Sequence, residues 1–572
     1  MSDPLAEILG DAPEPPRPLV SVTRTAPASA TTGGGFDGAD RVDAAMALWG
    51  PLLRSADADI IPDKDIVDGR ARDMVRNDAY IQGGANLHKD NIVGSHFLLN
   101  TRPSSRALFG QQDDVWEEEF QEEVEELWDL YAESPDNWLD AQRTNSFTSL
   151  VRLAVGVHLM GGEVLAVAEW LTDGRPMSTA IQMIDLDRLS DPMTPGTPIW
   201  RDRDSIRGGI RFNAQGAPTS YFIRSEHPAD LYTNIRYKLP EWKEVAIRKP
   251  WGRLQVIHIH EQVRPDQSRG IPEMAAALKE MRFGQRLRGV RLQREIMQSL
   301  YAAAITSELP SAEVFAALGG QALGSSESVQ NALTNFATGY LGSVQEYVGG
   351  SKALKLDGAR IAHLYPGTKL EMLRPGDTTD GSQLFEQSLL RYLAASLGVS
   401  YEQLSRDYTN TNYSSARAAM TETWKFMQAR KKLVADRFAS LIFRLWLEEA
   451  IRKNLITSFP ARRASMLYSP TGSRGRDVLN LKFDAISRCD WVGASRGQID
   501  ELKETQAAVL RINSGLSTRE DELARLGKDF RKVYRQLARE KRLEEANNLN
   551  FSAALGSAST GNDNSDNRGA AA

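Results

Sequence analysis

The sequence predicts an α+β protein, mainly α, in which one β-rich stretch interrupts long helices. Two observations carry this. Apolar residues recur at three- and four-residue spacing over 113–134, 272–306 and 416–453, the signature of helices with one buried face. Short β-type runs, separated by turn residues, are concentrated between Val151 and Ile259. With 572 residues and 41% apolar composition the chain can build several units around sizeable cores.

Composition also excludes some classes. The single cysteine, Cys489, leaves no intrachain disulfide framework and fits a reducing compartment. No run of eighteen apolar residues is present, so no membrane helix is expected. The acidic, proline-rich start MSDPLAEILGDAPEPPRP lacks the basic and apolar segments of a secretory signal. A formal net charge of −6 argues against a general nucleic-acid binder, so any contact with DNA should be local or weak.

In chain order, residues 1–40 are rich in Pro, Ala, Thr and Gly and are expected to be disordered, for lack of apolar surface to offset ordering entropy. Helical patterning starts at Arg41 and continues through 66–82. Asn91-Ile92-Val93-Gly94 reads as a strand entering a turn. In 113–134, Trp116, Phe120, Val124, Leu127 and Tyr131 form one apolar face; the remaining positions are mostly Glu and Asp, a solvated face or a surface for a basic partner. Strands are expected at 163–170, 181–184, 210–212 and 220–223, with turns at Met160-Gly161-Gly162, Thr172-Asp173-Gly174 and Asn213 to Gly216. Pro272 suits the first turn of a helix over 272–306, about 50 Å long at 1.5 Å per residue. Lys279, Arg282 and Arg286 share one side of it and Arg291 and Arg294 turn away, which favours solvated or inter-subunit pairing over a single DNA-reading stripe. Residues 307–377 read as a small mixed unit with a strand near 360–365. A second long helix follows over 416–453, with Met420, Trp424, Met427, Val434, Phe438, Leu441, Leu445 and Trp446 on its apolar face. Ser517-Thr518-Arg519-Glu520 has capping-box form, 531–546 is a charged helix, and the tail is low-complexity.

Between the helix ending at Leu397 and the one starting near Ser414 lies GVSYEQLSRDYTNTNYSSAR, residues 398–417. Asp407, Thr409, Asn410, Thr411, Asn412, Ser414 and Ser415 can bond their own backbone, which favours turns and N-caps over helix interior. From the residues alone this is a polar joint that ends in an Asn or Ser cap.

Enzymatic patterns are weak. Gly493-Ala494-Ser495-Arg496-Gly497 matches G-x-S-x-G, but every histidine precedes it, whereas the hydrolase triad places its histidine after the serine. His258 and His260 fall on one face of a strand, and with Asp266 they form a conceivable metal site for a hydrolase, without zinc-enzyme spacing downstream. No phosphate-cradling G-x-x-x-x-G-K-[ST] loop occurs, so any ATP-driven DNA movement needs another protein. No catalytic residue, metal or cofactor is expected.

Several segments, read in order, resemble the portal proteins of lambda-type tailed phages. Arg70-Ala71-Arg72-Asp73 with Arg76-Asn77-Asp78, then Asn91-Ile92-Val93-Gly94, resemble that family's early motifs, and Gly209 to Asn213 with Gly216 its strand turn. Arg264-Pro265-Asp266-Gln267-Ser268-Arg269-Gly270-Ile271-Pro272 is similar to its RPGQ-x-RG-x-P, with Asp266 in place of glycine. Gly398-Val399-Ser400-Tyr401-Glu402 and Asn412-Tyr413-Ser414-Ser415-Ala416-Arg417 resemble its most recognisable signature. Trp491 and Ile499 to Glu504 resemble its C-terminal part.

The resemblance implies a portal-type fold with a β-rich wing, long stem helices, a small α/β clip and a helical crown. The wing would be 41–271, the first stem helix 272–306, the clip 307–379, the second stem helix 380–397 and the tunnel loop 398–414. A wing helix and connecting region would follow at 415–495, the crown at 496–548 and a disordered tail at 549–572. It further implies a homo-oligomeric ring, a dodecamer, at one capsid vertex of the virion, assembled in the bacterial cytoplasm. Implied partners are the terminase large subunit, major capsid and scaffold proteins, head-completion and tail-connector proteins, and double-stranded DNA passing without sequence specificity; no membrane is involved. In the tunnel loop, Arg406, Asp407, Tyr408, Asn410, Asn412 and Tyr413 would face DNA. The rival readings are the hydrolase at His258, His260 and Asp266, and a helical scaffold protein that forms no ring.

Overall fold

A computed structural model describes residues 50–192, 206–232, 241–300, 338, 353–356, 359–362, 379–409, 411–471, 476–497 and 500–549. The expectations for 1–40, for most of 307–379, for the tail beyond 549 and for Asn410 lie outside these residues. Residues 50–55, the described end of a separate N-terminal unit, carry no regular secondary structure.

Helices α1 (Ala56–Asn77) and α2 (Ala79–Ile92) break at Asp78, whose carboxylate accepts from the Tyr80 and Ile81 amides at 3.0 and 3.4 Å, an N-cap that restarts the helix. The strand expected at 91–94 is instead the end of α2. Ile92 and Val93 are β-branched, but both sit in the core, where burial overrides intrinsic preference. Gly94, at φ +76°, turns the chain against Ala494. Strand β1 follows at Leu98–Thr101 and α3 at Ser105–Phe109.

Helix α4 (Asp114–Ala132) buries Trp116, Phe120, Val124, Trp128 and Tyr131. Trp128 takes the seat expected of Leu127, because 124, 128 and 131 are spaced by four and three; Leu127 is only partly buried. Fully burying each such side chain contributes about 1.5–3 kcal/mol. The acidic side is not merely solvated. Glu117 accepts from the Ser105 amide and hydroxyl, Glu123 from those of Thr457 and Ser458, Glu125 from Thr101 and Glu133 from Thr148. These carboxylates satisfy donors on neighbouring segments, and Glu123 reaches a segment more than 300 residues away in sequence.

Helix α5 (Phe147–Gly161) leads into β2 (Glu163–Trp170), which lies between β3 (Thr179–Met183) and β8 (Val256–His260), all antiparallel. A second antiparallel sheet has the order β4 (Ile206–Arg207), β5 (Ile210–Phe212), β6 (Pro218–Arg224), β7 (Trp242–Ala246). The β-rich stretch therefore stands as expected.

The helix expected from 272 starts as a 3-10 segment, Glu273–Ala277, and becomes α-helical as α6 (Leu278–Leu300). Strands β9 (Ala353–Leu356) and β10 (Ala359–Ala362) pair antiparallel. Helix α7 (Thr379–Ser396) runs back along α6: Leu389 packs on Gly284, where an added Cβ would lie 2.8 Å from it, and Arg291 pairs with Glu386. Helix α8 (Tyr401–Ser405) interrupts the joint expected to be a plain loop. The second long helix divides into α9 (Tyr413–Arg430), a π turn at Lys431–Asp436 and α10 (Arg437–Arg452). In the π turn the buried Lys431 amine bonds Asp436 at 2.6 Å and the Trp491 carbonyl at 2.8 Å.

The remaining elements are β11 (Tyr468–Thr471), β12 (Arg476–Leu479), α11 (Leu481–Ile486), β13 (Cys489–Val492), α12 (Glu501–Asn513), α13 (Arg519–Arg525) and α14 (Phe530–Ala546). Strand β13 returns to pair antiparallel with β1, Leu99 opposite Trp491. This seats Trp491 among Phe97, Phe147, Trp128 and Phe443, with Phe97 stacked on it at 5.5 Å. The G-x-S-x-G stretch is the coil after β13, where Gly493 abuts the Ile92 carbonyl. The C-terminal capping box is shifted by one from the expected Ser517/Glu520 pair: Thr518 caps α13 and Asp521 answers it.

Candidate functional site

The first motif segment, 264–272, follows β8 and leads into the 3-10 segment that precedes α6. Gln267, buried, staples it: its carbonyl oxygen accepts from the Val263 and Arg264 amides at 2.9 and 3.3 Å, and its Nε2 donates to the Arg269 carbonyl at 2.8 Å. Arg269 points inward. It donates to Glu163 at 2.8 Å and to the Leu189 and Gly208 carbonyls, both at 3.0 Å. The Gly270 amide donates to Glu163 at 2.8 Å, and the Lys64 amine to the carbonyls of Gly270 and Gly161, both at 2.9 Å. A Cβ on Gly270 would lie 2.1 Å from the Gly162 carbonyl oxygen, so only glycine fits. Ser268 bonds Asp57, and Arg264 pairs with Asp59 at the surface. Pro272 precedes the 3-10 turn, where no amide donor is required.

Glu163 is the centre of this arrangement. Burial pushes its carboxyl up, but Arg269, then Lys64 and His258, outweigh burial and hold it well below the usual range. Asp68 beside Lys64 goes the other way: burial dominates and raises it to about 6. A buried ion cluster with its partners in place binds α1, β2, β8 and the motif loop into one elbow. Losing one member leaves a neighbouring buried charge short of a partner.

The second motif segment forms the joint. Gly398, at φ +63°, faces the Phe426 ring, which an added Cβ would approach to 2.4 Å. Ser400 and Gln403 make a capping box for α8, and Arg406 ends that helix in the left-handed region, exposed. The Asp407 carboxylate accepts from the Thr409 amide and hydroxyl at 3.0 and 2.6 Å. Asn412 caps α9 by accepting from the Ser415 amide at 2.8 Å, and the Ser415 hydroxyl returns to the Asn412 carbonyl at 3.0 Å. Tyr413 is the first helical residue. Tyr408, Asn412, Ser414 and Arg417 are exposed.

The two motif segments converge on one cleft of about 560 Å³, lined in part by Ile60, Ile271, Pro272, Ala395, Phe426 and Arg430. Arg430, the last residue of α9, closes one side: it pairs with Glu261 and, at 2.7 Å, with Glu273, and stacks on Phe426 at 5.0 Å. His88 holds the Leu397 carbonyl at 2.8 Å from α2. Lys64, Glu163 and Arg430 were missed in the sequence. Only Glu163 left a trace, as the acid opening a run of five apolar strand residues, a position that requires a partner.

The residues of the hydrolase reading are engaged elsewhere. The rings of His258 and His260 are neighbours at 4.7 Å, but His258 Nε2 lies 3.1 Å from Glu163 and His260 Nε2 3.3 Å from the Gln267 carbonyl. Asp266 is exposed at φ +62°. Among the described residues a different group, Asp185, Asp187 and His227, has ligand atoms close enough for a metal, but Arg72 already supplies a cation there, 2.5 Å from Asp187.

Both motif segments thus spend their side chains on fixing backbone at a helical elbow, the work of an architectural protein. The sequence places it further: the chain belongs to the lambda family of phage portal proteins, whose family model matches residues 43–431. The chain is 36% identical to the portal protein of Escherichia phage N15, covering 91% of this chain and 90% of that one. It is also 36% identical to portal protein B of Escherichia phage lambda, over 89% and 88%. A probable portal protein of Halomonas phage phiHAP-1 is 21% identical over 86% and 83%. Among solved structures, the neck of an empty gene transfer agent particle computed with C6 symmetry overlays with a TM-score of 0.36 at 12% identity, covering 84% of this chain and 95% of that one. No described helix is long and apolar enough to cross a membrane.

Proposed function

We propose that copies of this chain form a closed ring at one capsid vertex, through which double-stranded DNA enters during packaging and leaves on ejection. The observation that carries this is membership of the portal family across most of the chain. The terminase large subunit is the motor docked on the ring, and head-completion and tail-connector proteins take its place. Major capsid and scaffold proteins surround it, and assembly takes place in the host cytoplasm.

Two features support the ring. Phe283 and Val290 on α6, and Leu384, Phe385 and Tyr392 on α7, are exposed, the α7 residues on the side away from Leu390, Leu393 and Leu397. Exposed apolar surface on a helical hairpin is characteristic of a subunit interface. A ring uses two different patches per subunit, head to tail. Within this reading β2–β8 with their flanking helices are the wing, α6 and α7 the stem, 398–414 the tunnel loop and α12–α14 the crown. The exposed loop residues Arg406, Tyr408 and Asn412, with Asp407 and Tyr413, face the DNA. A loop dominated by hydroxyl and amide groups gives weak phosphate contact, which suits a conduit better than a basic one.

Light scattering and negative-stain microscopy of the purified protein test this. The expected particle is a closed ring of roughly a dozen copies around a central hole. A protein that stays monomeric even with its scaffold and capsid proteins present overturns it.

A further inference from the structure

The charged helix placed in the crown above was given no ligand there, and its geometry is specific. In α14 (Phe530–Ala546), Arg531, Lys532, Arg535, Arg539 and Arg542 fall within about 100° of one another at 3.6 residues per turn, a stripe about 16 Å long. Glu540 and Glu544 lie on the opposite face. No residue of the helix is buried. It is tied to α13 near its start, where the Arg519 guanidinium donates to the Tyr534 hydroxyl at 2.9 Å.

The first half of the stripe rests on the acidic helix α4. Arg531 donates to Gln121 at 2.9 Å, Lys532 pairs with Asp129 at 2.9 Å, and Arg535 lies 3.8 Å from Glu122. Both ion pairs are about half exposed. A cleft of about 320 Å³, lined in part by Trp128, Leu130, Glu126 and Arg539, separates the two helices. Arg539 and Arg542 meet no carboxylate within ion-pair distance among the described residues; Arg542 donates only to the Ala538 carbonyl, at 3.2 Å. The contact is therefore electrostatic, open to salt and water, and incomplete.

We propose that α14 is a contact helix for duplex DNA, and that the carboxylates of α4 compete with backbone phosphates for its basic stripe. Charge complementarity supports that occupant. Duplex DNA presents one negative charge per ~1.7 Å, so a 16 Å stripe of cations meets a phosphate row along its whole length. Exposed ion pairs of the α4 kind are worth little and are readily exchanged. The contact is local on a chain whose net charge of −6 repels DNA elsewhere, and it reads no bases. The choice of DNA as the polyanion rests on the portal reading; the stripe and its acidic cover do not.

Fluorescence anisotropy of the full-length protein with a short random-sequence duplex, across a salt titration, tests it. Arg539→Glu with Arg542→Glu is expected to weaken binding roughly tenfold or more and to lower the salt slope by about 2, with unchanged circular dichroism and particle size. Glu122→Gln, Glu126→Gln and Asp129→Asn together are expected to tighten binding several-fold. A control carrying the same charge change elsewhere, Lys249→Glu with Arg462→Glu, is expected to bind like the parent. The proposal is overturned by unchanged affinity in the first variant, or by equal loss in the control. It is also overturned if the α4 variant fails to bind more tightly. A first variant that alters particle size while binding DNA normally assigns the stripe to a second copy and overturns it too. Whether the parent forms a ring is measured separately on the same sample, so loss of the ring reading is distinguishable from loss of this one.

Discussion

Arg269→Met isolates what the first motif segment does. The substitution keeps an unbranched apolar side chain but removes the guanidinium from Glu163 and from the carbonyls of Leu189 and Gly208. Glu163 has no exposed surface and would keep Lys64, His258 and the Gly270 amide as partners. Breaking a buried pair from one side costs about 3–5 kcal/mol, because the remaining charge stays desolvated. Glu163→Leu alone leaves the buried Arg269 with only backbone carbonyls, including those of Leu189 and Gly208, and carries a similar cost. Since one cause underlies both losses, the double variant should cost less than the sum of the singles, with a coupling of about 1–3 kcal/mol. Lys64→Met added to the double should cost further stability, since it leaves the buried Asp68 carboxylate without its cation. The assay is urea unfolding followed by tryptophan fluorescence at fixed protein concentration, because association shifts apparent stability. Additivity of the two single costs within about 0.5 kcal/mol would falsify the cluster argument. So would an Arg269→Met protein of parental stability that has lost DNA passage, since that would place the arginine on the DNA and not in the elbow.

Other residues give sharper local tests. Asn412→Ala removes the α9 cap and should cost about 1 kcal/mol, read as faster hydrogen exchange at Ser414–Ala416 with the rest of the helix unchanged; uniform exchange across α9 would contradict the cap. Gly162→Ala places a Cβ 2.1 Å from the Ile271 carbonyl at φ +73°, so it should lower the thermal midpoint markedly, whereas Gly174→Ala, also at positive φ but facing open space, should pay only the cost of a left-handed residue, of order 1 kcal/mol. Burial, first of all, lowers His88, His158 and His260 from 6.5 to about 4. A depressed folded-state value means that the unfolded chain takes up protons first, so stability is intact above pH 6.5 and falls as pH drops toward 4; the ceiling is about 3 kcal/mol per histidine. Asp68 and Glu125, raised by burial to about 6 and about 7, oppose this by taking up protons in the folded state. His158→Gln should therefore flatten the stability loss between pH 6.5 and 4 without reversing it, and an unaltered pH profile would refute the assignment.

How much of this was legible beforehand depends on the range of the interaction. The mainly-α plan, the antiparallel strands around Glu163 to Trp170, the apolar face of α4 and the Asn412 cap were readable because each is set by residues within about one or two turns of each other. The motif order from Arg264 through Arg417 was enough to reach the portal family. Local pattern misled where burial outweighed it: Ile92 and Val93 look like strand and end a helix, and α8 sits inside a stretch whose composition reads as loop. Tertiary structure alone decided the rest. Glu163 meets Arg269 and Lys64 across 106 and 99 positions of chain, β1 finds β13 only after the whole body has folded, and the acidic face of α4 is met by a basic helix some 400 residues later. Nothing near Glu163 in sequence states which cation will answer it; the requirement that a buried charge be paired is visible, and the partner is not. That is why the sequence led to the family while the elbow holding its motifs together, and the stripe left facing outward, came only from the fold.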